Sequence, residues 1–453
     1  MAKIIRDPVH DLIRIDCEFA LRLINSLAFQ RLRRIRQLGV AWLVYPGAEH
    51  SRFAHSLGVY HLSQLVVDHI NINCQSNGGQ AGKPPFDPKQ KVIVGLAALA
   101  HDLGHSAFSH LFERIARDEL GSTTKKHEAW TMNIVKEDPE VRAILDDAGK
   151  AIEVDVVADI KAILTHTYKP HYVGDVISSQ LDVDRFDYLL RDSAMTGARY
   201  GSFDLAWFLR TLEIAKIEKP PETIQTLAVQ GRRGLSALEG YLLGRHYMFK
   251  HVYFHKTIRA AEAMLRAILK RVVLLVREGK MDSPHSVISA LALKQLPSLR
   301  DYLALNDFQV LSWIQDWSVT SADEILKDLS RRFQSRHIFG TVVAPRDRVE
   351  FRDKFDTLRA LIGAEKLDEA YYLLEDKAED VAYKDYFYDV NRGKESEHQE
   401  IYCTDGSGRP QPLSGHDTSV IMAAKSVLKF DEIRWYIPKE VLEKAKTSLR
   451  SYL

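Results

Sequence analysis

An apolar segment of the sequence ends in a histidine and an aspartate that could bind a metal ion. Residues 96–100 are all apolar and precede His101 and Asp102, and this composition predicts a buried helix. Because a buried charge without a partner is unfavourable, the two side chains must be paired or bound to a cation. Adjacent residues lie about 100° apart on a helix, so both can contact one ion, and His105 follows one turn later.

Histidine residues concentrate around this pair. Eight of the 18 histidines lie between positions 50 and 127. A single His-Asp pair is weak evidence, since such a pair often caps a helix or lies at the surface. The concentration of imidazoles in one part of the chain favours one cluster over scattered surface residues.

A second segment, residues 181–192, is both acidic and aromatic and predicts a helix. Asp184 and Tyr188 are four residues apart and therefore share a face of it. Asp187 and Arg191 have the same spacing, which is typical of an ion pair that supports a helix surface.

A third segment, after position 241, combines basic and aromatic residues at helical spacing. Arg245, Phe249, Tyr253 and Lys256 lie at i, i+4, i+8 and i+11, which predicts one continuous stripe. The stripe could be a solvated edge, but beside a metal it suits the binding of phosphates and stacking on a sugar or base.

Composition limits the function classes. The 453 residues include 62 Lys and Arg against 61 Asp and Glu, a net charge of +1, so any anionic ligand must be held by local basic clusters. The three cysteines, Cys17, Cys74 and Cys403, argue against a disulfide framework. The sequence shows neither a signal peptide nor a membrane span, and a cytoplasmic location is expected.

The order of elements predicts a mainly α fold with a small mixed α/β C-terminal region. Helical patterns dominate up to about residue 320, and two probable strands, residues 338–343 and 433–438, follow. We therefore predict a helical domain over 1–320, with a catalytic core at about 45–260, and an accessory or regulatory region over 321–453.

Six segments, in unbroken order between residues 3 and 260, resemble the HD-domain deoxynucleoside triphosphate triphosphohydrolases. Six matches in order are far more specific than any one alone. The segments are Phe29-Gln30-Arg31-Leu32, Gln37-Leu38-Gly39, Arg52-Phe53-Ala54-His55-Ser56-Leu57-Gly58, His101-Asp102-Leu103-Gly104-His105, Asp182-Val183-Asp184-Arg185-Phe186-Asp187-Tyr188 and Tyr253-Phe254-His255-Lys256.

The resemblance implies an HD-domain helical core with one divalent metal ion, of the Mg, Mn, Fe or Zn type, in each active site. Its implied ligands are His55, His101, Asp102 and Asp184. The implied reaction is attack of water at the α-phosphorus, which releases nucleoside and intact triphosphate. The implied acid and base residues are His105, the pair His110 and Glu113, and the pair His127 and Glu128.

The resemblance also assigns the substrate site. It implies that Arg52, Arg185, Arg245 and Lys256 contact the triphosphate, with Tyr253 on the same stripe. It implies further that Tyr188 and Leu38 crowd the sugar where a ribose carries its 2′-hydroxyl, and that Gln37 bonds the 3′-hydroxyl.

Nucleotide-activated members of the family bind a guanine nucleotide between subunits, and the matching positions predict an effector site here. They are Lys3, Ile4, Asn25, Gln30 and Arg33, with Arg332 and Arg336 in a second basic cluster. Asn25 stands where those members have an aspartate, and an amide cannot accept two guanine N–H bonds with full charge, so the effector stays open. A homo-oligomer, a tetramer as in the family, is expected.

Two other classes of function remain open. One is an HD phosphohydrolase that acts on a different nucleotide or a phosphodiester, because the same ligands serve any phosphoryl transfer to water. The other is a nucleotide-binding or nucleic-acid-binding module with a vestigial site, although the composition gives no indication of nucleic-acid binding. The presence of every predicted ligand counts against the second class.

Overall fold

The structure, a computed structural model, describes residues 2–76, 84–219, 222–381, 400–405, 407–415, 419–423 and 429–449. Helices dominate it and the sheets are small, so the predicted mainly α fold is confirmed. Within those ranges no helix combines the length and apolar character needed to cross a bilayer.

The strands form three separate sheets. β1 and β2 are an antiparallel hairpin, β3, β4, β7 and β8 form one mixed sheet, and β9 lies between β5 and β6 in an antiparallel sheet. Their bounds are β1 Lys3–Asp7, β2 Asp11–Ile15, β3 Leu212–Lys219, β4 Glu222–Gln230, β5 Gly340–Val343, β6 Leu374–Val381, β7 Tyr402–Thr404, β8 Pro410–Pro412 and β9 Lys429–Ile437.

The α-helices up to residue 248 include the helix that ends in the apolar run before His101 and Asp102. They are α1 Glu18–Asn25, α2 Leu27–Gln30, α3 Arg52–Ser76, α4 Pro88–Ala100, α5 His110–Leu120, α6 His127–Glu137, α7 Pro139–Ile152, α8 Val156–Leu164, α9 His171–Asp175, α10 Val183–Thr196, α11 Leu205–Thr211 and α12 Gly231–Met248. α4 begins at a capping box formed by Asp87 and Gln90, and its last eight residues are all buried, as the apolar run predicts.

The remaining α-helices follow residue 255, and the first and last of them contact the β5–β9–β6 sheet. They are α13 Lys256–Arg277, α14 Ser286–Ala292, α15 Leu299–Ala304, α16 Asp307–Thr320, α17 Glu324–Gln334, α18 Arg348–Ala364, α19 Glu369–Tyr372, α20 Val420–Ala423 and α21 Lys439–Leu449. The two C-terminal strands predicted from sequence are confirmed, since Val342 of β5 pairs with Trp435 of β9.

The predicted continuous stripe from Arg245 to Lys256 is wrong. α12 ends at Met248, and Phe249–Tyr253 forms a π-helical turn. Lys256 is the first residue of the next helix, α13, so it does not share a helix face with Arg245. A π-helical turn changes the register of the residues after it, which sequence spacing alone cannot show.

Two hydrophobic cores pack on opposite sides of the predicted metal-binding segment. The first core contains the apolar faces of α3, α4, α7, α8 and α10. The second combines α13, α14, α16 and α17 with β5, β9 and the buried face of α5. Because α3, α4 and α10 belong to one core and α5 to the other, side chains at their junction are held from both sides. The second core takes residues from both sides of position 320, and the division there stays a prediction.

α6 packs directly on the turn that follows α4. The amide of Gly104 donates to Oγ1 of Thr131 (2.9 Å), which in turn donates to the carbonyl of His101 (3.0 Å). The hydroxyl of Tyr302 donates to the carbonyl of Gly104 (2.7 Å). A Cβ atom at position 104 would overlap the backbone of His127 and Thr131, so this close approach requires glycine.

We expect Gly104→Ala to push α6 away from the turn. Overpacking of this kind lowers the free energy of unfolding by about 1–3 kcal/mol, measurable by urea denaturation followed by circular dichroism. The matched control is Gly240→Ala in α12, where an added Cβ meets no atom within 4 Å. That change should leave stability unaltered or raise it by up to about 1 kcal/mol. Equal stability of the wild type and Gly104→Ala would contradict the packing described.

Candidate active site

Three helices bring the predicted metal ligands together. α3 supplies His55, the end of α4 supplies His101 and Asp102, and the first turn of α10 supplies Asp184. Nε2 of His55 lies 3.0 Å from Oδ1 of Asp184 and 3.7 Å from Oδ2 of Asp102. Nε2 of His101 lies 3.4 Å from Oδ1 of Asp102 and 3.8 Å from Oδ1 of Asp184.

These four side chains fit a divalent metal ion. The Nε2 atoms of both histidines are buried and have no hydrogen-bond partner among the described residues. Two imidazole nitrogens and two carboxylates that face one another are ligands suited to Mg, Mn, Fe or Zn. A cation at their centre would satisfy both orphaned nitrogens.

The second nitrogen of each histidine fixes which nitrogen faces the centre. Nδ1 of His101 lies 2.7 Å from the carbonyl of Ala98, to which it donates. Nδ1 of His55 lies 2.7 Å from Oδ2 of Asp187. Such bonds leave the Nε2 lone pairs free for a metal.

The electrostatics of the centre favour a bound cation. Burial alone would lower the pKa of His55, but its close contacts with the negatively charged Asp184 and Asp187 raise it to about 10. Burial raises the pKa of Asp102, but the charges of Arg52, His101 and His105 hold it well below its usual range. The negative charge that favours a proton on His55 would equally favour a metal ion in place of that proton.

A second cluster lies beside the first and consists of His105, His110, Glu113 and His127. One ligand atom from each lies within 4.8 Å of the others. Oε1 of Glu113 accepts from the backbone N–H of His127 (3.0 Å) and lies 2.6 Å from its Nδ1. Oε2 of Glu113 lies 3.8 Å from Nδ1 of His110.

Asp102 joins the two clusters. Nε2 of His105 lies 3.2 Å from Oδ1 of Asp102, and the His105 ring stacks on that of His127 with 4.0 Å between centroids. Burial and the charge of Arg52 hold the pKa of His105 well below its usual range, so it is neutral at physiological pH. Although burial raises the pKa of Glu113, its bonds with His110 and His127 lower it, so Glu113 is ionised.

The structure pairs His127 more closely with Glu113 than with the predicted Glu128, whose role stays a prediction. Glu113 takes the hydrogen bond of His127, while the Glu128 side chain is mostly exposed and lies 3.6 Å from His127 Nδ1. Glu113 reaches both histidines because His127 begins α6, which packs against α5 near residue 113.

Asp307, in the first turn of α16, anchors the loop that leads into α5. Its Oδ1 accepts the N–H of Phe108 (2.7 Å) and its Oδ2 accepts that of Arg36 (2.9 Å). Phe108 and Ser109 both have positive φ, 55° and 56°, a left-handed conformation that is unfavourable for residues other than glycine. The second core therefore holds a strained loop directly before His110.

The predicted substrate residues are in two kinds of environment. Arg52 is buried, with Nη1 2.5 Å from Oδ2 of Asp102 and Nε 2.7 Å from Oγ of Ser109. Arg185 is paired with Asp182, the N-cap of α10. By contrast, Lys256 is exposed.

Aromatic and amide groups line the neighbourhood of Asp192. Its two carboxylate oxygens bond Nε2 of His50 (2.8 Å) and the hydroxyl of Tyr253 (2.8 Å). The ring of Tyr253 contacts that of Tyr188 edge-on, with 6.1 Å between centroids. The backbone N–H of Gln37 donates to the carbonyl of His50 (3.0 Å).

Three more of the predicted substrate residues are half-buried or buried. Oε1 of Gln37 is buried with no hydrogen-bond partner among the described residues. Leu38 packs against both hydrophobic cores. Arg245 is buried and its guanidinium lies 4.4 Å from the centre of the Phe249 ring.

The predicted effector residues do not form one contiguous group of contacts in the single chain. Lys3 and Ile4 lie on β1 and are exposed, as is Asn25 at the end of α1. Nε of Arg33 donates to Oε1 of Gln30 (2.8 Å).

The second basic cluster carries less free charge than its sequence indicates. Arg332 is paired with Asp328 (2.7 Å) and Glu440 (2.6 Å), and Nε of Arg336 donates to the carbonyl of Leu43 (2.6 Å). Arg332 is thus paired with two carboxylates, whereas Arg336 contacts a neutral carbonyl, and the effector role of both arginines stays a prediction.

Sequence reasoning missed four polar residues of the centre: His50, Asp187, Arg191 and Asp192. Asp187 and Arg191 were expected at a helix surface, yet both are fully buried. The one signal in the sequence for Asp187 and Arg191 was that they follow Asp184 on a helix whose apolar residues recur at the spacing of a buried face.

Comparison with known proteins places these features in a family. The model of the HD domain matches residues 52–192. A protein of Bacillus subtilis named YwfO, described as uncharacterized, is 34% identical over 97% of this chain and 93% of its own length. The human deoxynucleoside triphosphate triphosphohydrolase SAMHD1 is 24% identical over 99% of this chain and 72% of its own length.

Solved structures agree with this result. A phosphohydrolase from Bacteroides thetaiotaomicron, 25% identical, superposes with a TM-score of 0.75 over 96% of this chain and 100% of that chain. A hypothetical protein from Aquifex aeolicus, 26% identical, gives a TM-score of 0.71 over 99% of this chain and 100% of that chain. The chain therefore belongs to the HD-domain phosphohydrolase family, which includes YwfO and SAMHD1.

Proposed function

We propose that this protein hydrolyses deoxynucleoside triphosphates to deoxynucleoside and inorganic triphosphate. The observation that carries the proposal is the connection of two clusters through Asp102: four metal ligands on one side and three histidines with one carboxylate on the other. The activity named for SAMHD1 supports the choice of substrate.

In the proposed reaction, His55, His101, Asp102 and Asp184 hold the metal ion. When bound, the ion polarises a phosphoryl oxygen and lowers the pKa of a coordinated water. Glu113, ionised and bonded to Nδ1 of His127, keeps the other nitrogen of that ring free to move a proton. His127 is then placed to protonate the departing 5′-oxygen of the nucleoside.

The other predicted residues bind and orient the substrate. Arg52, which bonds Asp102, and Arg185, which bonds Asp182, are placed to contact phosphate oxygens near the metal. The unpartnered Oε1 of Gln37 is available to the 3′-hydroxyl of the sugar. Arg245 and Lys256 would meet the triphosphate from separate helices.

The first test is the dependence of the reaction on Asp102. We expect Asp102→Ala to lose both the bound metal and measurable hydrolysis, because two metal-facing nitrogens and His105 lose their shared carboxylate. Metal content by mass spectrometry and product release by chromatography measure the two effects. The control is Asp68→Ala, which removes an exposed carboxylate of α3. Normal turnover by Asp102→Ala would disprove the site.

The same assay identifies the bond that is cleaved. In ¹⁸O-water, attack at the α-phosphorus places the label on the triphosphate, whereas attack at carbon places it on the nucleoside. Monophosphate and pyrophosphate as the sole products would instead indicate a different class of HD phosphohydrolase.

Sugar selection is expected to depend on Leu38 and Tyr188, both of which pack against the first core. Leu38→Gly should raise kcat/KM for ribonucleotides relative to deoxyribonucleotides by about tenfold, because space opens for the 2′-hydroxyl. The control is Leu293→Gly, at an exposed position. Equal use of both sugars by the wild-type protein would refute a steric gate.

We propose further that the active form is a homo-oligomer, a tetramer, with a nucleotide effector bound at Lys3, Ile4, Asn25, Gln30 and Arg33, and with Arg332 and Arg336 as the second basic cluster of the effector site. Arg33 is exposed and bonded to Gln30, so it can reach a partner without unfolding the chain. Arg33→Glu should remove activation by a second nucleotide and weaken assembly while metal content stays constant. Activity assays and light scattering measure this, with the neighbouring exposed Arg34→Glu as control. A fully active, effector-independent monomer would contradict the proposal.

A further inference from the structure

A buried set of ion pairs begins at the turn of the N-terminal hairpin. Oδ1 of Asp7 accepts the N–H groups of Val9 (2.9 Å) and His10 (3.0 Å) and so closes the turn. Oδ2 of Asp7 lies 2.9 Å from Nη1 of Arg191 on α10. The turn is thereby fixed to the helix that carries Asp184.

Asp187 is the next member of the set. Its Oδ1 bonds Nε2 of His10 (2.7 Å) and Nη2 of Arg191 (2.9 Å). Its Oδ2 bonds Nδ1 of His55 (2.7 Å) and Nε of Arg191 (2.8 Å). Both carboxylate oxygens therefore have two partners, and the carboxylate has one defined orientation.

The backbone of α3 closes the remaining side of this carboxylate. A Cβ atom at Gly58 would overlap Oδ1 of Asp187 and lie 2.5 Å from Nη2 of Arg191. The helix that carries His55 thus contacts the Asp187–Arg191 pair directly, three residues after His55. The motif glycine of this segment is explained by that contact.

The orientation of Asp187 determines the orientation of His55. Because Oδ2 of Asp187 bonds Nδ1, the imidazole presents Nε2 toward Asp184 and Asp102. Groups that bond the distal nitrogen of a metal-bound histidine commonly contribute to metal affinity. His10 is the one member of this set that the hairpin supplies directly to Asp187.

We propose that the tip of the N-terminal hairpin, residues 7–10, is a positioning element of the metal centre. His10 and Asp7 hold Asp187 and Arg191, and Asp187 holds His55 in the orientation that binds metal. The inference rests on the metal-binding part of the proposed function and on no particular substrate.

The strand pairing of the hairpin connects its tip, residues 7–10, to its open end at Lys3 and Ile15. Five residue pairs, from Lys3↔Ile15 to Asp7↔Asp11, form one continuous ladder. A ligand or partner that orders Lys3 therefore acts on the same rigid element that holds His55. Thermodynamic reciprocity then requires that metal binding also stabilise the hairpin.

The test measures Co²⁺ affinity by chelator competition, together with the visible absorption of the bound ion. Asp187→Asn should weaken Co²⁺ binding by about 10–100-fold, and His10→Ala by about tenfold, each with an altered spectrum. His10→Gln keeps an N–H donor and should restore much of the affinity. Arg14→Ala, which breaks an exposed hairpin pair with Asp16, is the matched control and should bind as the wild type.

His10→Ala is the decisive variant, because Asp187 and Arg191 remain paired in it and the chain should fold. Wild-type Co²⁺ affinity and spectrum in folded His10→Ala would overturn the proposal, whatever the change in melting temperature. Hydrogen exchange supplies the reciprocal measurement: adding metal should slow exchange of the amides of residues 3–15, and unchanged exchange would also count against it. Neither readout uses a nucleotide, so a chain that binds metal as expected but hydrolyses no deoxynucleoside triphosphate would disprove the proposed function alone.

Discussion

Asp102 is the buried carboxylate on which the candidate site depends. It lies within 4 Å of Arg52, His55, His101 and His105, so one side chain faces a guanidinium and three imidazoles. A carboxylate in an apolar environment is tolerated only where opposite charges and hydrogen bonds compensate its desolvation. The same requirement explains why the apolar helix α4 ends immediately before it and why α3 and α5 converge there.

The two hydrophobic cores fix the positions of the side chains around Asp102. The first core orients the helices that carry the metal ligands, and the second orients α5, α6 and the loop that Asp307 anchors. The strained conformation of Phe108 and Ser109 is maintained because the packing around the loop prevents another backbone conformation. The candidate metal ligands and the cluster that contains His105 are thus adjacent because both contact Asp102.

Local sequence patterns predicted the helical fold and the C-terminal strands, and the resemblance of six ordered segments to a known family implied the grouping of His55, His101, Asp102 and Asp184. The sequence-based predictions failed where tertiary contacts determine the environment of a side chain. The spacing of Asp187 and Arg191 fits an exposed ion pair as well as a buried one, and only packing against Gly58 and the hairpin distinguishes them. A π-helical turn broke the expected stripe, and Arg332 is paired with two carboxylates within the chain.

One metal ion is expected between His55, His101, Asp102 and Asp184. X-ray diffraction from metal-loaded crystals, with data collected on both sides of the absorption edge of the metal, tests it most directly. We expect one anomalous difference peak within about 2.0–2.3 Å of the Nε2 atoms of His55 and His101 and of one carboxylate oxygen each of Asp102 and Asp184. A sole peak among His105, His110, Glu113 and His127, or no peak in protein that contains stoichiometric metal in solution, would contradict it.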